Sequence, residues 1–163
     1  MKDLKIFIAE HLINTEIFEM AQSLAEYKQE IRDKLPILLA HILLVMKANE
    51  DNSVEFVNHW KKEIRGFIRS LCNYKLKTKD TYQSRKKHIE DIMIRMYELD
   101  TEDNYIWELS HKLNLEGYDL EDTKIYDDFI NLWHNFQDNI LDKLIDIIAS
   151  KDFNKINEFT DEL

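Results

Sequence analysis

Glycine occurs twice and proline once in 163 residues, and this scarcity limits the fold more than any motif in the chain. Tight turns and hairpins lean on Gly for positive φ and on Pro for a fixed φ without a donor. A chain almost lacking both is expected to run in long helices joined by short polar loops. The spacing of apolar residues agrees, falling at steps of three and four nearly throughout. With 44% hydrophobic and 33% charged residues, the composition is globular rather than disordered, and a chain of this length buries roughly two-thirds of its unfolded surface. The expected fold class is all-α, a single irregular helical bundle of five to seven helices forming one domain over residues 1–163.

The first helix is expected at about Lys2 to Ile13, with Leu4, Ile8 and Leu12 on one face and Asn14-Thr15 as a stop and fresh cap. A second runs from Glu16 toward Leu35 through Ile17, Met20, Leu24, Tyr27 and Ile31. Pro36 then opens a third, Pro36 to about Ala48, or kinks a continuous one. The segment "ILLAHILLVM", Ile37 to Met46, is apolar nearly all round and marks the most buried element. A loop follows, with Ser53 placed to cap the next helix. On that helix Trp60, Ile64, Phe67, Ile68, Leu71 and Tyr74 share one side. A helix from about Asp80 to Leu99 buries Ile89, Ile92, Met93 and Met96, and a short one spans about Asp103 to Leu113. The turn "NLEGYD" uses Gly117. A last long helix, about Asp122 to Ser150, carries a seam of Ile125, Phe129, Leu132, Phe136, Ile140, Leu144 and Ile148, before a short acidic helix or frayed tail.

Charge is segregated along the chain. The stretch from His59 to His88 holds ten Lys and Arg against two acidic residues, and Lys61, Lys62, Arg65 and Arg69 stand together outside their helix, extended by Lys86 and Lys87. From Glu98 to Asp128 eleven acidic residues face Lys112 and Lys124 alone. The chain thus divides into a helical core half, residues 1–97, with a basic face, and an acidic C-terminal half, 98–163. The whole chain sums to -10, which repels polyphosphate at long range. Nucleic-acid binding by Lys61, Lys62, Arg65, Arg69, Lys86 and Lys87, with Tyr74 and Tyr82 to stack a base, is therefore the alternative and not the leading reading.

Catalytic and cofactor motifs are sparse. Two isolated glycines cannot build a phosphate-binding loop. A di-iron bundle needs two Glu-x-x-His units, and only Glu108-Leu-Ser-His111 is present, so a helical metalloenzyme ranks last and neither a metal nor another cofactor is expected. His41 lies inside the most apolar segment; it must be hydrogen-bonded there, and it is the one histidine kept as a functional candidate. His59-Trp60 and Trp133-His134 read as boundary pairs with the Trp buried. Cys72 is the lone cysteine, so no internal disulfide forms and a reducing compartment suits the chain. Arg69 and Lys75 lie beside it, and neighbouring cations can lower a thiol pKa, but no base or oxyanion site accompanies them, so a plain boundary cysteine is the expectation. No apolar run reaches the ~20 residues of a membrane span. The N-terminus lacks a signal-peptide cleavage pattern. The expectation is a soluble cytoplasmic protein.

The segments "DKLPILLAHILLVM" and "NHWKKEIRGFIRSL" resemble a bacterial family known as domain of unknown function twenty-nine. The likeness rests on Leu38-Leu39-Ala40-His41, on Trp60 and on the Glu63-Ile64 step, and covers about Glu19 to Tyr97. It implies a helical fold and no reaction. Function is therefore expected from the charge map: a non-catalytic interaction protein, of the inhibitor, immunity or antitoxin kind, binding a basic, nucleic-acid-processing protein. The carboxylates of Glu116, Asp119, Glu121, Asp122, Asp127 and Asp128 would form its partner-binding face.

Overall fold

A computed structural model describes the backbone of residues 2–76, 79–97 and 106–163, and the side chains of 25–76, 79–93 and 111–163. Among the described residues the protein has seven α-helices and no strand. Helix α1 (Lys2–Glu50) is one continuous element, where a break was expected at Asn14-Thr15 and either a new helix or a kink at Pro36. Asn14 and Thr15 do not interrupt it, since either residue costs a helix interior only tenths of a kcal/mol. Pro36 sits inside it and withholds one helical hydrogen bond. Burial offsets that loss: Leu35, Leu38, Leu39, Ala40, Ile42, Leu43, Leu44 and Val45 around it are all buried. The expected Leu4, Ile8 and Leu12 face, and the contribution of Met96, lie outside the described side chains.

Helix α2 (Val57–Asn73) buries Trp60, Ile64, Ile68 and Leu71 as its periodicity predicts, but Ser53 does not cap it. The Ser53 amide instead donates to Ala48 O at 2.8 Å, closing the end of α1. Helix α3 (Tyr82–Tyr97) begins after Thr81, whose Oγ1 accepts from the Ser84 amide at 3.2 Å. Helix α4 (Ile106–Leu115) ends in the turn at Gly117, whose φ of 95° favours glycine.

The last long helix is in fact two. Helix α5 (Thr123–Asn139) starts on an Asp122 cap and stops at Ile140, whose backbone leaves helical geometry. Helix α6 (Leu141–Ser150) follows at once. The apolar seam runs through the break unchanged, which is why its period did not reveal it. The break lets α6 bury Leu144, Ile145, Ile147, Ile148 and Ala149, a wider stripe than a straight continuation of the α5 seam presents. The tail is docked rather than frayed: a 3-10 turn, Phe153–Lys155, leads into α7 (Ile156–Asp161), and Ile156, Phe159 and Thr160 are buried.

Helix α1 is the central strut. Helices α2, α3, α4 and α5 pack on it, α6 closes against α2, α3 and α5, and α7 covers α2. One apolar core runs from Tyr27 to Phe159 and takes residues from both halves of the chain.

The residue that ties these elements is Arg85, only 1% exposed. It stands one turn before Ile89 on the buried stripe of α3, not on the basic surface its neighbours suggest. Its guanidinium donates to Leu71 O at 3.1 Å, Cys72 O at 3.4 Å, Ile148 O at 3.2 Å and Tyr74 O, and pairs with Asp80 at 3.1 Å. It also lies 5.2 Å over the Tyr27 ring. The carbonyls belong to the C-terminal ends of α2 and α6, where helix dipoles place partial negative charge. Asp80 in turn accepts from Lys151 Nζ at 2.7 Å. Lys151 has φ of 55° and turns the chain out of α6, as the Asp152 amide bonds back to Ile147 O at 3.1 Å. Burial pushes the Asp80 carboxyl up, but hydrogen bonds from Lys151, Arg85 and the Leu76 amide outweigh it and hold the group below its usual range.

Removing one member of such a buried set strands the others without water. Arg85→Met is expected to destabilise the protein by about 3–5 kcal/mol in urea unfolding. Arg85→Lys keeps the charge but not the fork of donors, and should recover less than half of that loss. A loss below about 1 kcal/mol for Arg85→Met would show that the carbonyls find other partners.

Candidate interaction surface

The six carboxylates expected on the acidic face are all near the α4–α5 turn and the start of α5, but they are not equivalent. Asp122 accepts from the Lys124 and Ile125 amides at 3.0 and 3.3 Å and is the cap of α5. Asp119 accepts from the Glu121 amide at 3.0 Å and shapes the turn. Asp128 takes a hydrogen bond at 3.1 Å from Lys47, a buried lysine that also reaches Asp51 at 3.3 Å. Glu116 pairs with Lys112 at 3.0 Å. Four of the six are thus engaged within the chain, and the exposed Glu121 and Asp127 are left to meet another molecule.

Periodicity did not reveal the apolar residues standing among them. Leu115 is 67% exposed, Tyr126 49% and Ile130 36%. Tyr126 and Ile130 are one turn apart on a flank of α5, about a quarter-turn around the helix from buried Phe129, Leu132 and Phe136. Exposed Asp127, His134 and Asp138 stand beside that flank, on the side opposite the buried stripe. The signal was present in the sequence: α5 carries apolar residues on more of its circumference than a one-sided helix needs. The Lys47 bridge brings the loop after α1 to the same end of the molecule, adding exposed Asp51, Val54, Glu55 and Phe56. The carboxylate of Asp51 acts on the Tyr118 hydroxyl; burial, followed by that charge, raises the Tyr118 pKa.

The basic residues form a looser set. Lys62 and Arg69 are exposed, whereas Lys61 and Arg65 are half-buried, with Arg65 turned toward Thr160 of α7 at 3.5 Å. Lys86 and Lys87 ride on α3, and Lys86 is paired with Glu90 at 3.8 Å. The two tyrosines available for base stacking are otherwise occupied. Tyr74 stacks on Tyr27 with centroids 5.5 Å apart, and Tyr82 donates to Asp146 at 2.8 Å.

His41 is buried in α1, donates from Nδ1 to Ile37 O at 2.7 Å and touches the Phe67 ring. Burial lowers its pKa, with the Ile37 carbonyl opposing. His59 is exposed near Glu63 and Trp60 is buried; Trp133 is half-buried and His134 exposed. Cys72 lies deeper than the boundary position expected for it. It is fully buried, its Sγ is 3.6 Å from Ile147 O, and burial pushes its thiol up to about 11. The cations that oppose this are Arg85 and Lys151, not Arg69 and Lys75, because α2 turns the thiol inward. Glu108 lies outside the described side chains, and His111 is exposed. Among the described residues no three His, Cys, Asp or Glu side chains converge as metal ligands, and no helix is long and apolar enough to cross a membrane.

No protein-family model, curated protein or solved structure matches this chain. Its chemistry is therefore read from the surface itself, where exposed apolar side chains and unengaged carboxylates coincide on α5.

Two outcomes test this placement of the buried groups. A histidine whose folded pKa is lowered makes the unfolded state the better proton acceptor, so stability falls as pH drops below about 6.5 and levels off below the folded pKa. His88, also lowered by burial, contributes the same sign. His41→Gln should remove part of the pH slope in that window, measured by urea unfolding at a series of pH values; an unchanged slope would mean His41 is not its source. Cys72 should react with a thiol reagent only as fast as the protein opens, and rapid labelling of the native protein would contradict its burial.

Proposed function

We propose that the protein acts by binding rather than by catalysis, as a small acidic inhibitor, immunity or antitoxin-like protein whose α5 face docks on a Lys/Arg-rich surface of another protein. The observation that carries this reading is the pair Tyr126 and Ile130, exposed one turn apart with Asp127 beside them. An exposed aromatic and a branched aliphatic on a rigid helix supply the desolvated centre of an interface, and flanking carboxylates supply orientation and rejection of acidic partners. The C-terminal 73 residues carry a net charge of -13, from 6 basic and 19 acidic residues, so a basic partner is steered toward this half from a distance. A nucleic-acid-processing enzyme is a partner of fitting charge. Membership of the family that Glu19–Tyr97 resembles is part of the same proposal and adds no reaction to it.

Nucleic acid is the weaker partner. The basic residues are split between α2 and α3, and the rings of Tyr74 and Tyr82 are held by internal contacts, which leaves phosphate attraction without a stacking platform.

Capture of partners from host lysate by the tagged protein, with and without nuclease, tests the reading. A basic protein retained in both samples is expected. Its affinity should fall at least about tenfold for Tyr126→Ala, and likewise for the double change Glu121→Lys and Asp127→Lys. Asp122→Ala is the control: it should lower stability by about 1 kcal/mol through the lost cap and leave affinity nearly unchanged. Retention of nucleic acid alone, lost on nuclease treatment, would transfer the function to the basic residues.

A further inference from the structure

Gly66 is the one glycine whose position the fold does not explain. It lies in the middle of α2, has no positive φ, is exposed, and a Cβ built on it meets nothing within 4 Å. A helix interior prefers alanine to glycine by about 1 kcal/mol, so nothing inside the chain favours a bare backbone there. Bare helix backbone is useful where another backbone approaches closely. Gly66 forms part of an open groove of about 370 Å³ between α1 and α2, lined also by Lys34, Lys62, Glu63, Phe67 and Ser70. Lys34 spans it, pairing with Glu30 and donating to Ser70. Exposed Arg69 stands one turn beyond Gly66, and exposed Ile37 one turn along α1 from Lys34. The groove has one apolar lining side chain, Phe67, with the cations Lys34 and Lys62 and the carboxylate of Glu63 around it, and it is open at the centre.

The chain carries the complementary object on α5. Tyr126 and Ile130 are exposed at the i, i+4 spacing by which a helix lays apolar side chains into a groove, Trp133 one turn further is half-buried and stacked on Phe136 at 5.5 Å, and Asp127 and Asp138 stand together along the outer side of the pair. We propose that the α1–α2 groove receives the outer face of α5 from a second copy of this chain, with Asp127 and Asp138 facing Lys62 and Arg69. The carboxylates are about 16 Å apart along α5 and the cations about 10 Å apart along α2, a difference that long Lys and Arg side chains span. This contact rests on the reading of α5 as a docking face and gives that face a resting occupant, which a basic partner must displace. Each copy carries a net charge of -10, so long-range repulsion opposes the pairing; at about 0.15 M salt the screening length is about 8 Å, and the close ion pairs outlast the distant repulsion.

Sedimentation of the full chain at physiological ionic strength tests it. The wild type is expected to associate as concentration rises. The double variant Lys62→Glu, Arg69→Glu loses its groove and the double variant Asp127→Lys, Asp138→Lys loses its ridge, so each alone should associate at least about tenfold more weakly. Mixed in equal amounts they should associate again, because each retains the face the other lacks. Gly66→Ala should raise the melting temperature and yet weaken association, and Gly66→Leu should weaken it further. A wild type that stays monomeric to about millimolar concentration, or a mixture that fails to recover association, overturns the proposal. Loss of a captured basic protein by the Asp127→Lys, Asp138→Lys variant, with a monomeric wild type, would sink this inference and leave the heterologous reading of α5 standing.

Discussion

Arg85 brings a positive charge into the core, and the ends of helices α2 and α6 are arranged around it. A guanidinium deprived of water is tolerated only when nearly all its donors are met. Here the acceptors are the carbonyls that helix geometry leaves unsatisfied at two C-termini. One side chain thus solves two problems at once, the solvation of a buried cation and the capping of two helices that end without glycine. Asp80 and Lys151 extend the arrangement to the loop before α3 and the turn after α6. The stacking of Tyr27 beneath the guanidinium ties it to α1.

Such a centre has consequences for the surface. With the bundle fixed by a buried polar clamp and a continuous strut, the structural duties of exposed and half-buried polar groups on α5 fall near its ends, where Asp122 caps the helix, Asp128 holds Lys47 and Asn139 donates to Asn135. Its other exposed positions include Tyr126, Asp127, Ile130, His134 and Asp138, together with Lys124, Asn131, Asn135 and Asn139. A helix held on one side by Phe129, Leu132 and Phe136 can present such a mixed face rigidly, so little conformational entropy is lost when a partner docks.

The fold class was legible because helical periodicity and the lack of Gly and Pro say the same thing at different scales. Element boundaries were not. Asn14-Thr15 read as a break and Pro36 as a new start or a kink because local propensity disfavours helix there, but Asn and Thr cost only tenths of a kcal/mol, and at Pro36 the buried run from Leu38 to Val45 outweighs the larger cost. The break at Ile140 went unread for the opposite reason, since a seam with the right period crosses it. On the candidate face, charge was legible and engagement was not. Nothing in the sequence tells an aspartate that caps a helix, such as Asp122, from one that faces solvent, such as Asp127, unless the first helical residue is known to within one position. Arg85 shows the same limit from the inside: within a run of cations it looks solvated, and only its register with Ile89 and Ile92 places it on the buried stripe.

The two glycines bring these scales together. Gly117 sits at φ of 95°, where an L side chain is strained, and the turn between α4 and α5 accounts for it. Gly66 has neither that backbone nor a close internal neighbour. In a chain that uses glycine so rarely, a residue that weakens a helix in the monomer and clashes with nothing when enlarged makes physical sense only if some other contact profits from it. In the dimer we propose, that contact comes from outside the chain. The basic rim of Lys62 and Arg69 beside the bare backbone then selects for acidity, and the acidic apolar ridge that fits this description is carried by α5 of the same sequence.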